Sequence, residues 1–164
     1  MKNYLNILHY CFYLFFVKLD YWFNKVNPFL LLYKIPSIKK YHQKQDWNPY
    51  HERKKIWNDQ KYGFNIIIAG GILIATLAGI FISLVFLINN IFKIYTTIPT
   101  YIIVTSCALA YFISYLFEFK EDMYLNYFEK YQFWNVNKKR MNIFLSLLFV
   151  VFVMIVIIFC VFKN

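Results

Sequence analysis

Charged residues are missing from three long stretches of this 164-residue chain, residues 64–92, 98–117 and 141–162. Each run has 20 or more residues, and about 20 apolar residues suffice for a helix to cross a bilayer. The chain as a whole is 60% hydrophobic, whereas a soluble domain is about 45–50% apolar. The runs therefore exclude an ordinary soluble domain. They are also longer than the strands of a membrane β-barrel, and they lack the alternation of apolar and polar residues that such strands show.

Histidine is also absent from these runs, which argues against a proton- or ion-coupled transporter, because such proteins usually carry Asp, Glu, Lys, Arg or His within their spans. The three cysteines, Cys11, Cys107 and Cys160, form no Cys-x-x-Cys pair and indicate no disulfide framework; we interpret them as small apolar residues. His42 and His51 are spaced too loosely for a zinc site. We therefore predict no catalytic, cofactor or metal site, and a protein that is not an enzyme.

Glycine is scarce, and three of the four glycines lie in one apolar stretch, Ala69–Gly79. The stretch lacks the spacing of a nucleotide-binding loop. Small residues instead recur every fourth position in the first two runs, and such rows let helices pack closely in lipid. We predict a packing seam between the two runs, with dimerisation or a foreign helix as alternatives. Its residues are Gly71, Ala75, Gly79, Ser83, Ser106, Ala110 and Ser114.

Positive charge is plentiful, with a net charge of +10. It is concentrated in residues 34–63 and 118–140, whereas the short link between the first two runs and the C-terminal tail carry one lysine each, Lys93 and Lys163. The positive-inside rule then places the N-terminus in the cytoplasm and the C-terminus outside it, as in a bacterial inner-membrane protein. Anionic lipid headgroups are the expected partners, and nucleic acid is not. The residues assigned to headgroups and topology are Lys39, Lys40, Arg53, Lys54, Lys55, Lys138, Lys139 and Arg140.

Residues 1–33 begin with an apolar stretch, Tyr4–Val17, that is short for a span and is followed by no signal-peptide cleavage site. We predict a helix at the membrane interface, with Tyr10, Tyr13, Tyr21 and Trp22 at headgroup level. A packed helix or a fourth span remains open. Pro28 and Pro36 are expected to break or redirect the chain, and Asn48 and Pro49 resemble a helix start.

Residues 118–140 are predicted to carry the second helix out of the membrane as an amphipathic extension. Its acidic residues, Glu118, Glu121, Asp122 and Glu129, would form a solvated face. An aromatic face would either pack on the N-terminal segment or contact a protein partner. The candidate partner contacts are Tyr124, Tyr127, Phe128, Tyr131 and Trp134.

Within residues 124–151 an aromatic pair, Tyr127 and Phe128, is followed by Glu129 and Lys130, and then by Trp134, a basic cluster at 138–140 and the last apolar run. This order resembles small multi-pass inner-membrane immunity proteins that are encoded beside secreted polymorphic toxins. The resemblance implies protection against a toxin through protein contact. It transfers no functional residue to this chain.

The sequence as a whole predicts an all-α integral membrane protein with three transmembrane helices, an N-terminal interfacial helix and a cytoplasmic helical extension. The expected function is non-enzymatic, by protein–protein contact, as an immunity protein that neutralises a cognate toxin. The alternative is an accessory subunit of a larger membrane complex, such as a secretion or envelope machine.

Overall fold

The structure is a computed structural model that describes residues 2–94 and 99–162 of the chain. All regular secondary structure within these residues is helical. The helices are α1 (Lys2–Val26), α2 (Pro28–Leu32), α3 (Pro36–Gln43), α4 (Pro49–Asn58), α5 (Phe64–Phe92), α6 (Thr100–Ser114), α7 (Met123–Tyr131) and α8 (Val136–Phe162). The expected start of the second run at Ile98, part of the link before it, and the tail residue Lys163 lie outside the described residues.

Three helices are long and apolar enough to cross a membrane: α5, the helical stretch from α6 through α7, and α8. In the most apolar window of each, only 28%, 22% and 17% of the residues, respectively, are buried inside the protein. Most residues of these windows are therefore not buried within the described part of the protein. The coarse prediction of an all-helical chain with three such helices is confirmed for the described residues.

Two compact units make up the chain: Met1–Phe12 with Gly70–Asn164, and Tyr13–Ala69. We call them the core unit and the N-terminal unit. In the N-terminal unit, Pro28, Pro36 and Pro49 each occupy a first-turn position of a short helix, where the missing N–H costs nothing. The side chain of Asn48 accepts a hydrogen bond from the backbone N–H of Tyr50, as expected of a helix cap.

The N-terminal helix is longer than the predicted interfacial segment and is packed against the rest of the protein. His9, Tyr10, Cys11 and Phe12 are each at most 3% exposed. Tyr13 is also buried, whereas Tyr21 and Trp22 are more than half exposed. The rings of Tyr10 and Tyr13 are therefore covered by protein and are not exposed to lipid headgroups.

The second apolar helix does not continue unbroken into the polar segment, which corrects the expected extension. It ends at Ser114 and passes through a π-helical turn, Tyr115–Phe119, and a 3₁₀ turn, Lys120–Asp122. Glu121 and Asp122 have φ values of 55° and 53°, a left-handed conformation that is uncommon for residues other than glycine. Two such residues in succession interrupt the helix, so that α7 begins as a separate element.

The predicted seam is only partly present. Ser106, Ala110 and Ser114 are buried and share one face of α6. Gly71 and Ala75, by contrast, are exposed, and no described residue comes within 4 Å of the position that a Cβ on Gly71 would occupy. Their assignment to an internal seam was wrong, because the outward side of α5 carries them.

Gly79 and Ser83 are buried, but Gly79 faces the third apolar helix rather than the second. A Cβ at Gly79 would lie 2.9 Å from Ile157 Cδ1 and 3.1 Å from Val153 Cγ1, both on α8. The hydroxyl of Ser83 is used locally, since it donates to the carbonyl of Gly79 one turn earlier. Close approach of α5 and α8 therefore requires the missing side chain at Gly79, and the partner predicted for this glycine was wrong.

Candidate functional site: a buried histidine and glutamate

A histidine and a glutamate meet in the interior of the core unit. Nδ1 of His9, on α1, lies 2.6 Å from Oε1 of Glu118, in the π-helical turn, and both side chains are 0% exposed. An acid and a base this close and this deeply buried stabilise one another, because either group alone would be costly to remove from water. The pair joins the N-terminal helix to the end of the second apolar helix, 109 residues later in the chain.

Aromatic rings surround the imidazole of His9. Phe119, Tyr124 and Phe128 have ring centroids 5.6, 5.3 and 5.3 Å from it, and the rings of Phe119 and Phe128 present edges. Edge-to-face contacts of this kind are favourable beyond the area they bury. The rings exclude water from the pair and fix the orientation of the imidazole.

A glycine makes room for this cluster. The Cβ that Gly70 lacks would lie 3.1 Å from Cζ of Phe119 and 3.6 Å from Nε2 of His9. A larger residue at Gly70 would therefore force the ring of Phe119 to shift. The glycine therefore sets how closely α5 approaches the buried pair.

Asn6 completes the polar interior, one turn before His9 on α1. Its side-chain amide donates to the carbonyl of Lys2 at 2.9 Å and to the carbonyl of Phe117 at 3.3 Å. The second bond connects α1 to the π-helical turn. Two buried acceptors, Asn6 Oδ1 and Glu118 Oε2, have no hydrogen-bond partner among the described residues.

Glu118 was expected on a solvated face, and this expectation was wrong. Its spacing, however, carried a signal that we overlooked. Glu118 follows Ser114 by four residues, and thus extends the row Ser106, Ala110 and Ser114, which is buried throughout. Residues four apart share one side of a helix, so the small-residue row already indicated an inward position for Glu118.

The aromatic residues proposed as partner contacts are mostly internal. Tyr124, Phe128 and Tyr131 are at most 5% exposed, and the rings of Phe128 and Tyr131 pack on Tyr10 at 4.9 and 5.6 Å. These three residues are therefore not available to a partner, and the alternative of packing on the N-terminal segment is the one observed. Tyr127 and Trp134 are half-buried.

The basic residues assigned to headgroups mostly lie at the surface, with two exceptions. Arg53 makes an ion pair with Asp20 at 2.9 Å, and Lys139 donates to the carbonyl of Gln132 at 2.7 Å. The ammonium of Lys138 lies 4.7 Å from the ring centroid of Trp134. The remaining members, Lys39, Lys40, Lys54, Lys55 and Arg140, are exposed.

No group of three or more histidine, cysteine or acidic side chains is placed to hold a metal ion in the part of the chain that the structure describes. Comparison of the chain with protein-family models, with curated proteins and with solved structures found no match.

Proposed function

We propose that the protein is an integral membrane protein that acts by contact with another protein within the bilayer. The observation that supports this proposal is the outward position of Gly71 and Ala75. Small residues four apart form a notch in which a second helix backbone approaches closely, and such notches drive association in lipid. Among the described residues, nothing lies within 4 Å of a Cβ position on Gly71, which leaves room for a helix of a partner.

A non-enzymatic role is consistent with the position of the polar groups. The His9–Glu118 pair is the closest acid–base pair among the described residues, and both side chains are fully buried. In this arrangement the pair joins two helical segments and is shielded from solvent. We infer that its contribution is to the fold that presents the notch.

We further propose that the partner is a toxin and that the chain is an immunity protein of the bacterial inner membrane. Support for the partner class comes from the resemblance of residues 124–151 to immunity proteins. Support for the orientation, with a cytoplasmic N-terminus, comes from the lysine- and arginine-rich segments at 34–63 and 118–140. Anionic lipids surrounding these segments are part of the same proposal.

Protection in living cells tests the proposed role. A strain lacking the gene should be killed by the product of the neighbouring toxin gene, and expression of the wild-type chain should restore growth. Gly71→Leu should abolish protection while leaving the amount and unfolding temperature of the protein unchanged. Val151→Leu, on the exposed side of α8, is the matched control and should protect as the wild type does. Survival of the deletion strain would contradict the immunity role.

Photo-crosslinking identifies what occupies the notch. A benzophenone amino acid at Ile67, which is 62% exposed one turn before Gly71, should give an adduct with the toxin that Gly71→Leu removes. An adduct of twice the chain mass would instead indicate a homodimer. A constant stoichiometric assembly in cells without toxin would favour an accessory subunit of a larger membrane complex. Either result would overturn the immunity proposal.

A further inference from the structure

A basic cleft of about 730 Å³ lies within the N-terminal unit. Its walls come from α1, the α2 region and α4. Five basic residues and one carboxylate, Asp20, line it. The basic residues are Lys18, Lys25, Lys34, Arg53 and Lys54.

Asp20 is fully engaged inside the cleft. One oxygen pairs with the guanidinium of Arg53 at 2.9 Å, and the other accepts a hydrogen bond from Asn24 at 3.0 Å. Arg53 also lies over the ring of Trp57, at 4.7 Å from its centroid. The single carboxylate is thus neutralised by Arg53, and the positive charge of the lysines remains uncompensated within the cleft.

The lysines of the cleft are free to bind an anion. Lys18, Lys34 and Lys54 are exposed, and within the described ranges none of them has an ion pair. Lysine ammonium groups are common ligands of phosphate. Several of them around one cleft favour a phosphate group over a single carboxylate.

The remaining wall of the cleft is apolar. Leu14, Val17 and Leu30 contribute to its lining, and Leu30 is only 4% exposed. A small hydrophilic anion gains nothing from such a wall, whereas the acyl chain of a lipid makes van der Waals contacts along it. The lining therefore favours a ligand that is both anionic and amphiphilic.

The cleft lies beside the beginning of the first apolar helix. Asn58, in its lining, accepts a hydrogen bond at 2.7 Å from the side chain of Asn65, the second residue of α5. Tyr21, also in the lining, has the ammonium of Lys25 4.9 Å from its ring centroid, and tyrosines of this kind are typical of the membrane–water interface. If α5 crosses the membrane as proposed above, the cleft is at headgroup depth.

We propose that this cleft binds one acidic phospholipid, with the headgroup phosphate at Lys18, Lys34 and Lys54 and an acyl chain against Leu14, Val17 and Leu30. Basic pockets beside membrane helices bind anionic headgroups in this way. This site differs from the general electrostatic attraction of basic segments to anionic lipids, because it is a cleft of defined volume that would hold one lipid molecule. It rests on the membrane location in the proposed function and not on the toxin.

Native mass spectrometry of the full chain in neutral detergent tests the site. Phosphatidylglycerol should be retained at one molecule per chain, and phosphatidylcholine with the same acyl chains should be lost. Lys18→Gln/Lys54→Gln should lower occupancy about tenfold or more, whereas Lys39→Gln/Lys40→Gln, which removes equal charge from α3, should not. Equal loss in both variants, or equal retention of phosphatidylcholine, would overturn the proposal.

Further measurements distinguish a bound lipid from a soluble phosphate ligand, and loss of the lipid site from loss of the fold or of the toxin contact. Glycerol 3-phosphate carries the headgroup phosphate without acyl chains and should compete poorly; competition as strong as that of phosphatidylglycerol would indicate a soluble phosphate ligand and overturn the lipid assignment. If the double variant shifts the unfolding temperature, Lys34→Gln replaces it and should itself lower occupancy. Gly71→Leu should retain the lipid, so a failed lipid site and a failed toxin contact are distinguishable.

Discussion

His9 Nδ1 and Glu118 Oε1 lie 2.6 Å apart, with both side chains shielded completely from solvent. α1 buries His9 because Tyr10, Cys11 and Phe12 follow it into the same packed region, and the π-helical turn buries Glu118 because it continues the inward face of α6. The pair is thus a specific connection between two segments distant in sequence.

Removing one member of this pair should destabilise the protein strongly. His9→Leu leaves the carboxyl group of Glu118 buried without its partner, and loss of one member of a buried pair costs about 3–5 kcal/mol. The free energy of unfolding in detergent, from denaturant titration followed by circular dichroism, measures the effect.

The double variant His9→Leu/Glu118→Leu is the control for that experiment. Replacing both members by apolar residues of similar volume is often neutral or stabilising, so the double variant should recover most of the lost stability. A double variant that is less stable than His9→Leu would show that the pair is not the source of the effect.

Much of the fold followed from simple patterns. The first apolar run, residues 64–92, coincides with α5, and Asn48 and Pro49 mark the start of α4, because charge exclusion and helix capping act locally. The pairing of Glu118 with His9, 109 residues earlier in the chain, and the break at Glu121 and Asp122 did not follow from such local patterns. Composition does not encode such contacts, and a glutamate in a polar segment is ordinarily solvated.

The glycines illustrate the same limit. Spacing placed Gly71 and Gly79 in one row, but the two residues have different environments in the structure. A row of small residues eight positions long turns slowly around a helix, since 3.6 residues make a turn, and so its two ends can face different surroundings. Only the position of α8 decides which end is covered.

Gly79→Leu and Gly71→Leu should therefore differ in their effect on stability. The first inserts a side chain where Ile157 Cδ1 and Val153 Cγ1 leave 2.9 and 3.1 Å, and overpacking of this kind typically costs about 1–3 kcal/mol. The second enters open space and should leave the unfolding temperature unchanged. Thermal unfolding of both variants in the same detergent tests this, and equal destabilisation would contradict the packing of α5 on α8.

Cysteine labelling should distinguish the three thiols. Burial raises the pKa of Cys11 to about 11, so the reactive thiolate is roughly one part in a thousand at pH 8. Cys160 is buried and Cys107 exposed. A membrane-permeable maleimide should reach Cys11 and Cys160 only after unfolding, as followed by peptide mass spectrometry, whereas Cys107 needs no unfolding to be reached but should react slowly if α6 lies in lipid as proposed. Rapid native labelling of Cys11 would contradict its packed position on α1.

Acid should loosen the turn between α4 and α5. The carboxylate of Asp59 accepts hydrogen bonds from the backbone N–H groups of Tyr62 and Lys61, which lower its pKa below the ordinary value of 3.8. A lowered pKa means that the turn is stabilised above pH 3.8 and that this contribution is lost as the pH falls through the folded-state value.

NMR titration of the Asp59 carboxyl should give a midpoint below 3.8. Asp59→Asn, which keeps an acceptor oxygen, should remove the acid dependence of amide exchange at Tyr62, whereas an unchanged dependence would assign it to another group.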